Sequence, residues 1–126
     1  MVQQIVKRNS VVLIRYPFTD LTGVKVRPAV ILTPDHLLNK LDDVLCLFIS
    51  SVIPEELLST DFIFKSEHSS FFKTGLKQRS IFRAHKLALL HKSLILRNLG
   101  EVEKNIMKEI DKKLIIALGL SEEIKA

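Results

Sequence analysis

The hydrophobic period of this chain changes once, and the change limits the folds open to it. Val102, Ile106, Ile110, Leu114 and Leu118 recur at every fourth position, with Met107 and Ala117 beside them, so the C-terminal part carries one apolar helical stripe. Everything before it is different. Apolar, β-branched runs at 11–16, 26–33, 43–51, 60–65 and 80–87, with a shorter one at 94–97, are broken by Pro, Gly, Asp and polar segments, which is the pattern of short strands. Residues 66–77 are polar, with two phenylalanines and Gly75, and suit one helical turn followed by a reversal. Several short strands followed by one packing helix predict a mainly β domain of α+β type, a small barrel or strongly bent sheet with a C-terminal amphipathic helix. Glu101 and Glu103 near the start of that helix, Lys112 and Lys113 near its end, and Gly119 as its stop agree with the helix dipole and with helix-ending chemistry.

A chain of 126 residues suffices for one domain, expected over 1–126, without disulfide or metal. Its 47% hydrophobic content excludes a disordered chain, and no apolar run approaches the roughly 20 residues that span a bilayer. No long apolar segment follows the N-terminal residues, so a secretory signal is not expected and the expected location is the cytoplasm. Cys46 lies in an apolar run, has no second cysteine to bridge to, and reads as a core thiol. His36, His68, His85 and His91 fall at no zinc-like spacing, and the four glycines build no phosphate loop, so neither a metal nor a cofactor is expected.

One strand run holds an anomaly. Within 24–33 the apolar pattern is interrupted by Arg27, which Pro28 follows. Arginine cannot shed its proton in a protein and seldom enters apolar surroundings without an anion or a partner. Pro28 lacks an amide hydrogen and biases Arg27 toward extended geometry, so the guanidinium is held at a defined point where the strand begins. Two readings stay open: Arg27 pairs at the rim with one of the chain's own carboxylates, or it builds a site for an external anion. The charge balance, 19 Lys and Arg against 14 Asp and Glu for a net +5, points to a polyanionic or acidic partner. Lys73, Lys77, Arg79, Arg83 and Lys86 crowd one stretch, and a solvated face is the plain alternative there.

If the strands that carry Arg27 and Ser50 are neighbours, the two side chains converge on one phosphate. A guanidinium matches phosphate oxygens in a two-pronged way, and a hydroxyl adds one oriented hydrogen bond. RNA brings its own nucleophile, the 2′-hydroxyl, so a site that aligns that oxygen and stabilises the charged transition state needs neither metal nor covalent intermediate. His85 is the nearby group that titrates near neutral pH, and a structural hydrogen bond for it is an equal reading.

Residues 11–20, Gly23, residues 25–32 with Arg27 and Pro28, then Ile49, Ser50 and Ser51, Gly75 and Leu76, Ser80, and the closing Leu118, Gly119 and Leu120 together resemble the PemK/MazF toxins of bacterial type II toxin-antitoxin systems. The likeness runs in order over nearly the whole chain. It implies an SH3-like β-barrel with a C-terminal helix, a homodimer, and a metal-independent endoribonuclease that cuts single-stranded RNA to a 2′,3′-cyclic phosphate and a 5′-hydroxyl. It also implies inhibition by a cognate antitoxin with an acidic tail, DNA being reached only through that antitoxin, and no membrane partner. Carried over by position, Arg27 and Ser50 are the catalytic pair. Lys25, Thr19, Ser51, Ser80, Arg83, His85 and Lys86 are the expected substrate-binding residues, with Lys25, Arg83 and Lys86 expected to face RNA or the antitoxin tail.

The chain departs from that pattern at three places. Asn9 and Ser10 replace the Gly-Asp pair common before the first strand, Val52 stands where some members have glutamine, and His85 stands near a position that is often acidic. Two other functions are compatible with the same barrel: a non-catalytic CcdB-like toxin that poisons DNA gyrase, and a degenerate nucleic-acid-binding module.

Overall fold

The computed structural model describes residues 6–17 and 24–120. Within them, β1 (Ser10–Pro17), β2 (Val24–Ile31), β3 (Asp43–Ser50), β4 (Asp61–Phe64), β5 (Ser80–His91) and β6 (Ile95–Glu101) form one sheet in the order β4-β5-β3-β2-β1-β6. Every pairing is antiparallel. A single turn, α1 (Asp35–Leu38), follows Pro34, and α2 (Lys104–Leu118) packs on one face of the sheet. The expected α+β architecture with a C-terminal helix is therefore present. Its sheet is not closed, because β4 and β6 are opposite edges with no ladder between them.

The strands read as continuous apolar runs because both faces of the sheet are covered. On one face Val11, Val30, Leu47, Ile49, Phe64 and Phe82 pack against Ile106, Met107 and Ile110 of α2. On the other, Val12, Ile14, Ala29, Ile31, Val44 and Cys46 pack with Leu38 of α1. Leu38 explains why 35–38 forms a turn of helix where a polar loop was expected: its burial holds the segment against the sheet. The helical stripe is buried at Ile106 and Ile110 and reaches solvent at Leu118, while Val102 is buried just ahead of the first helical residue. Gly119 ends α2 in the left-handed conformation, as expected.

What replaces barrel closure is a seam. The connection from β4 to β5 contains a 3₁₀ turn, Phe71–Thr74, which crosses to the far edge and packs on β6. Gly75 ends this turn at φ 74°, and a Cβ there would lie 2.9 Å from the carbonyl carbon of Leu99. Gly100 meets the same turn from the other side, where a Cβ would lie 2.7 Å from the carbonyl carbon of Thr74 and on the carbonyl oxygen of Lys73. Two glycines facing each other's backbone let the edges approach more closely than side chains allow. Lys73 then reaches Glu103 at 2.8 Å, tying the turn to the start of α2 and raising the lysine pKa above its ordinary value through that hydrogen bond.

A second irregularity lies between β3 and β5. Leu47 pairs with Leu87, but Ile49 pairs with Phe82, so four β5 residues, Arg83 to Lys86, stand opposite the single residue Phe48. The excess residues form a large bulge that bends β5 and re-aims its side chains, as bulges do near functional sites. β4 braces this bend: Asp61 pairs with Arg83 in the ladder, and the Ala84 amide donates to the Thr60 carbonyl at 2.9 Å.

Candidate active site

Arg27 and Ser50 are brought together by the β2–β3 register. The ladder runs Ile31–Cys46, Val30–Leu47, Ala29–Phe48, and continuing it by two residues sets Arg27 across from Ser50. It stops at Ala29 because the next residue, Pro28, has no amide hydrogen to donate. Beyond that point β1 still holds Arg27, opposite Ile14, and β5 still holds Ser50, opposite Ile81. Both side chains are half-buried. The Ser50 hydroxyl oxygen accepts from the Val52 amide at 3.0 Å, which orients it and leaves its hydrogen for donation to a ligand.

Arg27 and Ser50 form the shared rim of two clefts. The first, about 600 Å³, lies over the seam between the 3₁₀ turn and β6, and Lys25, Arg27, Lys77 and Arg97 line it together with Ser50 and Ser51. The second, about 610 Å³, lies under the β5 bulge, lined by Tyr16, Arg27, Phe48, Ser50, His85 and Lys86 among others. No aspartate or glutamate lines either cleft among the described residues. Both are open, cationic spaces with one polar pair between them.

The expected substrate-binding residues divide into three groups. Lys25 and Ser51 border the first cleft, and His85 and Lys86 the second, all exposed. Ser80 and Arg83 also border the clefts but are used by the fold. The buried Ser80 hydroxyl donates to the Gln78 carbonyl at 2.8 Å, and the Arg83 guanidinium grips Asp61 through Nε at 2.8 Å and Nη2 at 3.1 Å. Burial raises the Asp61 carboxyl, but the Arg83 hydrogen bond, the Leu58 amide and nearby positive charge outweigh it, and the pKa ends below the ordinary value. Thr19 lies outside the described residues. His85 has the structural hydrogen bond that was one of its two readings, Nδ1 to Thr60 Oγ1 at 2.6 Å. That bond engages Nδ1 and not Nε2.

The model of the PemK-like, MazF-like toxins of type II toxin-antitoxin systems matches residues 7–118. The chain belongs to this family. No curated protein matches it. Among solved structures it is similar to a mycobacterial endoribonuclease determined in complex with its cognate antitoxin, at 20% identity and TM-score 0.70 over 93% of this chain and 98% of that one. It is also similar to the MazE-MazF structure from Deinococcus radiodurans, at 16% identity and TM-score 0.74 over 94% and 100% of the two chains. The toxin MazF-mt6 of Mycobacterium tuberculosis aligns at 17% identity and TM-score 0.68 over 87% and 98%. At these identities the likeness concerns the fold.

Asn9 and Ser10, which stand in place of the Gly-Asp pair, form a hydrogen-bonded turn into β1, the Ser10 amide donating to the Lys7 carbonyl at 3.0 Å. Asn9 takes φ 78°, the left-handed region that asparagine tolerates better than most residues. The Ser10 hydroxyl accepts from the Lys7 amide at 2.9 Å, a bond an aspartate also makes in such turns. Asn9 then ties the start of β1 to β2 and to the β6–α2 connection: its amide donates to the Ile31 carbonyl, its carbonyl accepts from the Val102 amide, and Nδ2 donates to the Val102 carbonyl. Sequence reasoning missed Arg97, Phe48 and the role of Lys77 as cleft residues. Lys77 stood out only as part of a basic stretch, and the other two looked like ordinary strand residues, because the seam and the bulge that bring them to the site have no local signature.

Proposed function

We propose that this toxin-family member is an endoribonuclease that cuts single-stranded RNA by attack of the 2′-hydroxyl on the adjacent phosphorus, without a metal ion. The 2′-oxygen gives up its proton and forms a bond to phosphorus while the bond to the 5′-oxygen breaks, and the departing oxygen takes up a proton, leaving a 2′,3′-cyclic phosphate and a 5′-hydroxyl. One observation carries this reading: Arg27 and Ser50 both line each of two neighbouring cationic clefts. The guanidinium binds two phosphate oxygens at once and stabilises the negative charge that grows on them in the transition state. Ser50, its oxygen anchored by the Val52 amide, donates one further hydrogen bond. Lys25, Lys77 and Arg97 draw the backbone into the first cleft, and Lys86 and His85 face it from the second. The protein acts as a homodimer in this reading, and an antitoxin with an acidic tail silences it by occupying the same cationic clefts.

The test is cleavage of single-stranded RNA in the presence of EDTA, with the ends of the products identified. Wild type is expected to yield cyclic-phosphate and 5′-hydroxyl ends. Loss of a transition-state donor costs on the order of 10² to 10³ in rate, so Arg27→Ala is expected to fall by at least that much while staying folded. Arg27→Lys keeps the charge without the two-pronged fit and is expected to recover only a small part. Arg27→Ala cleaving at the wild-type rate refutes the assignment.

A further inference from the structure

The cleft under the β5 bulge has a feature that phosphate binding does not use, an aromatic wall. Tyr16 of β1 and Phe48 of β3 pack with ring centroids 4.9 Å apart and planes inclined at 57°. Both line the same space of about 610 Å³ as Arg27, Ser50 and His85. Phe62, Phe64, Phe71 and Phe82 form a separate aromatic group, in contact with one another on the face that α2 covers. The Tyr16–Phe48 pair is half-buried and lines the cleft, with Phe48 packed on the core of the opposite face. Phe48 is also the residue opposite which β5 carries its excess residues, so the bulge places His85 and Lys86 along the same space. Thr60 holds Nδ1 of His85 from outside the cleft lining.

A volume of this size is in the range of small-ligand pockets. Its walls combine a π-face, a polar ring edge and the arginine of the scissile phosphate. Unpaired RNA bases are recognised by stacking on aromatic side chains and by hydrogen bonds to their edges. The neighbouring cleft, with Lys25, Lys77 and Arg97, has no aromatic side chain in its lining and suits the sugar-phosphate backbone alone. We infer that Phe48, backed by Tyr16, is the stacking platform for one unpaired base beside the phosphate held by Arg27, with His85 facing that base's edge. The RNA strand thus passes the Arg27–Ser50 rim with its backbone on one side and a captured base on the other. This subsite rests on the RNA-cleaving reading above and adds to it a specificity-determining residue.

The experiment measures binding of a short single-stranded RNA that carries a mapped cleavage site, made uncleavable by a 2′-deoxy sugar at the attacking position. The base is deleted, one position at a time, on either side of that bond. Wild type, Phe48→Leu and Phe48→Trp are compared, with wild-type cleavage of the unmodified RNA assayed in parallel. Leucine keeps an apolar side chain in the packing and removes the π-face, and circular dichroism checks that each variant is folded. Base stacking on an aromatic residue is worth about five- to 150-fold in affinity. Wild type is expected to lose that much when the base at one flanking position is deleted. Phe48→Leu is expected to bind intact RNA more weakly by the same factor and to show no further loss on deletion, and Phe48→Trp to restore the loss. Phe48→Leu binding intact RNA as tightly as wild type, or retaining the full penalty for the missing base, overturns the subsite, as does a wild type indifferent to deletion at every flanking position. Wild type that cleaves RNA and fails these tests overturns the subsite alone. Wild type that neither binds nor cleaves RNA overturns the enzymatic reading and the subsite with it.

Discussion

Gly100→Ala tests whether the seam holds the first cleft open. The added methyl group would lie 2.7 Å from the carbonyl carbon of Thr74 and closer still to the carbonyl oxygen of Lys73, where ordinary contact begins at 3.4 Å, so the 3₁₀ turn must retreat by more than about 0.7 Å or β6 must shift. The neighbour is backbone on both counts, and no flexible side chain can swing away. Overpacking of this kind costs about 1–3 kcal/mol, a large share of the roughly 5–15 kcal/mol that keeps a domain folded. At a urea dependence of about 1–3 kcal/mol per molar, the midpoint falls by on the order of 1 M. The displaced backbone carries Gly75, Leu76 and Lys77, which form a wall of the cleft shared by Arg27 and Ser50. Misplacement by about 1 Å costs on the order of 10²-fold in rate, so cleavage is expected to drop about tenfold or more even below the unfolding transition. Urea unfolding followed by circular dichroism and single-turnover RNA cleavage measure the two effects on the same preparation. An alanine variant with an unchanged midpoint and undiminished cleavage would refute the idea that the turn presses on β6 and that the cleft depends on it.

Three further outcomes follow from groups already described. Asp61 has its carboxyl held below the ordinary value in the folded protein, so its contribution to stability is complete above the unfolded carboxylate value near pH 4 and is lost as pH falls through the folded one. Asp61→Asn breaks a pair whose carboxylate side chain is 1% exposed, at a cost of about 3 kcal/mol; the gap in urea midpoint between it and wild type is expected to be wide at pH 7 and narrower at pH 3. Burial pushes the Cys46 thiol up to about 11, so the folded protein is expected to resist iodoacetamide at pH 8 and to react once unfolded, as mass spectrometry will read directly. Lys77→Ala and Arg97→Ala are each expected to reduce the slope of log binding constant against log salt by about 0.7, the single-strand value for one phosphate contact, when titrated against an uncleavable RNA.

Much of the fold was legible because hydrophobic period and turn residues are local signals. The six strand runs and the final helix all appear within a few residues of their expected bounds, and the short runs at 60–65 and 94–97 were sufficient to place β4 and β6. Two short elements were missed, the 3₁₀ turn Lys92–Leu94 and α1, a single turn whose reason to exist is the burial of Leu38 against distant strands. Arg27 and Ser50 were legible as a pair because Pro28 marks the arginine and the abrupt end of an apolar run marks the serine. Arg83 and Ser80 carried the same kind of polar label, yet the fold uses one as the partner of Asp61 and the other to close a turn. Charge in a sequence does not reveal whether a carboxylate waits for it 22 positions away. Phe48 and Arg97 show the converse, since nothing beside them in the chain distinguishes them from strand residues, and only the bulge and the seam bring them to the clefts.

The bulge at Arg83 to Lys86 has a consequence for how such proteins diversify. Its two flanks are registered independently, by β4 through Asp61–Arg83 and Phe62–Phe82 on one side and by β3 through Leu47–Leu87 on the other. The stretch between them is therefore a place where residues can be exchanged, added or removed without a slip propagating into either ladder. Arg83 and the buried Ala84 belong to the scaffold; His85 and Lys86 are exposed at the cleft, His85 with one ring nitrogen held by Thr60. On the RNA-cleaving reading proposed above, exchange at those two positions would alter what an RNA base meets while Arg27 and Ser50 stay in place, so selectivity and catalysis would evolve on separate parts of one small sheet.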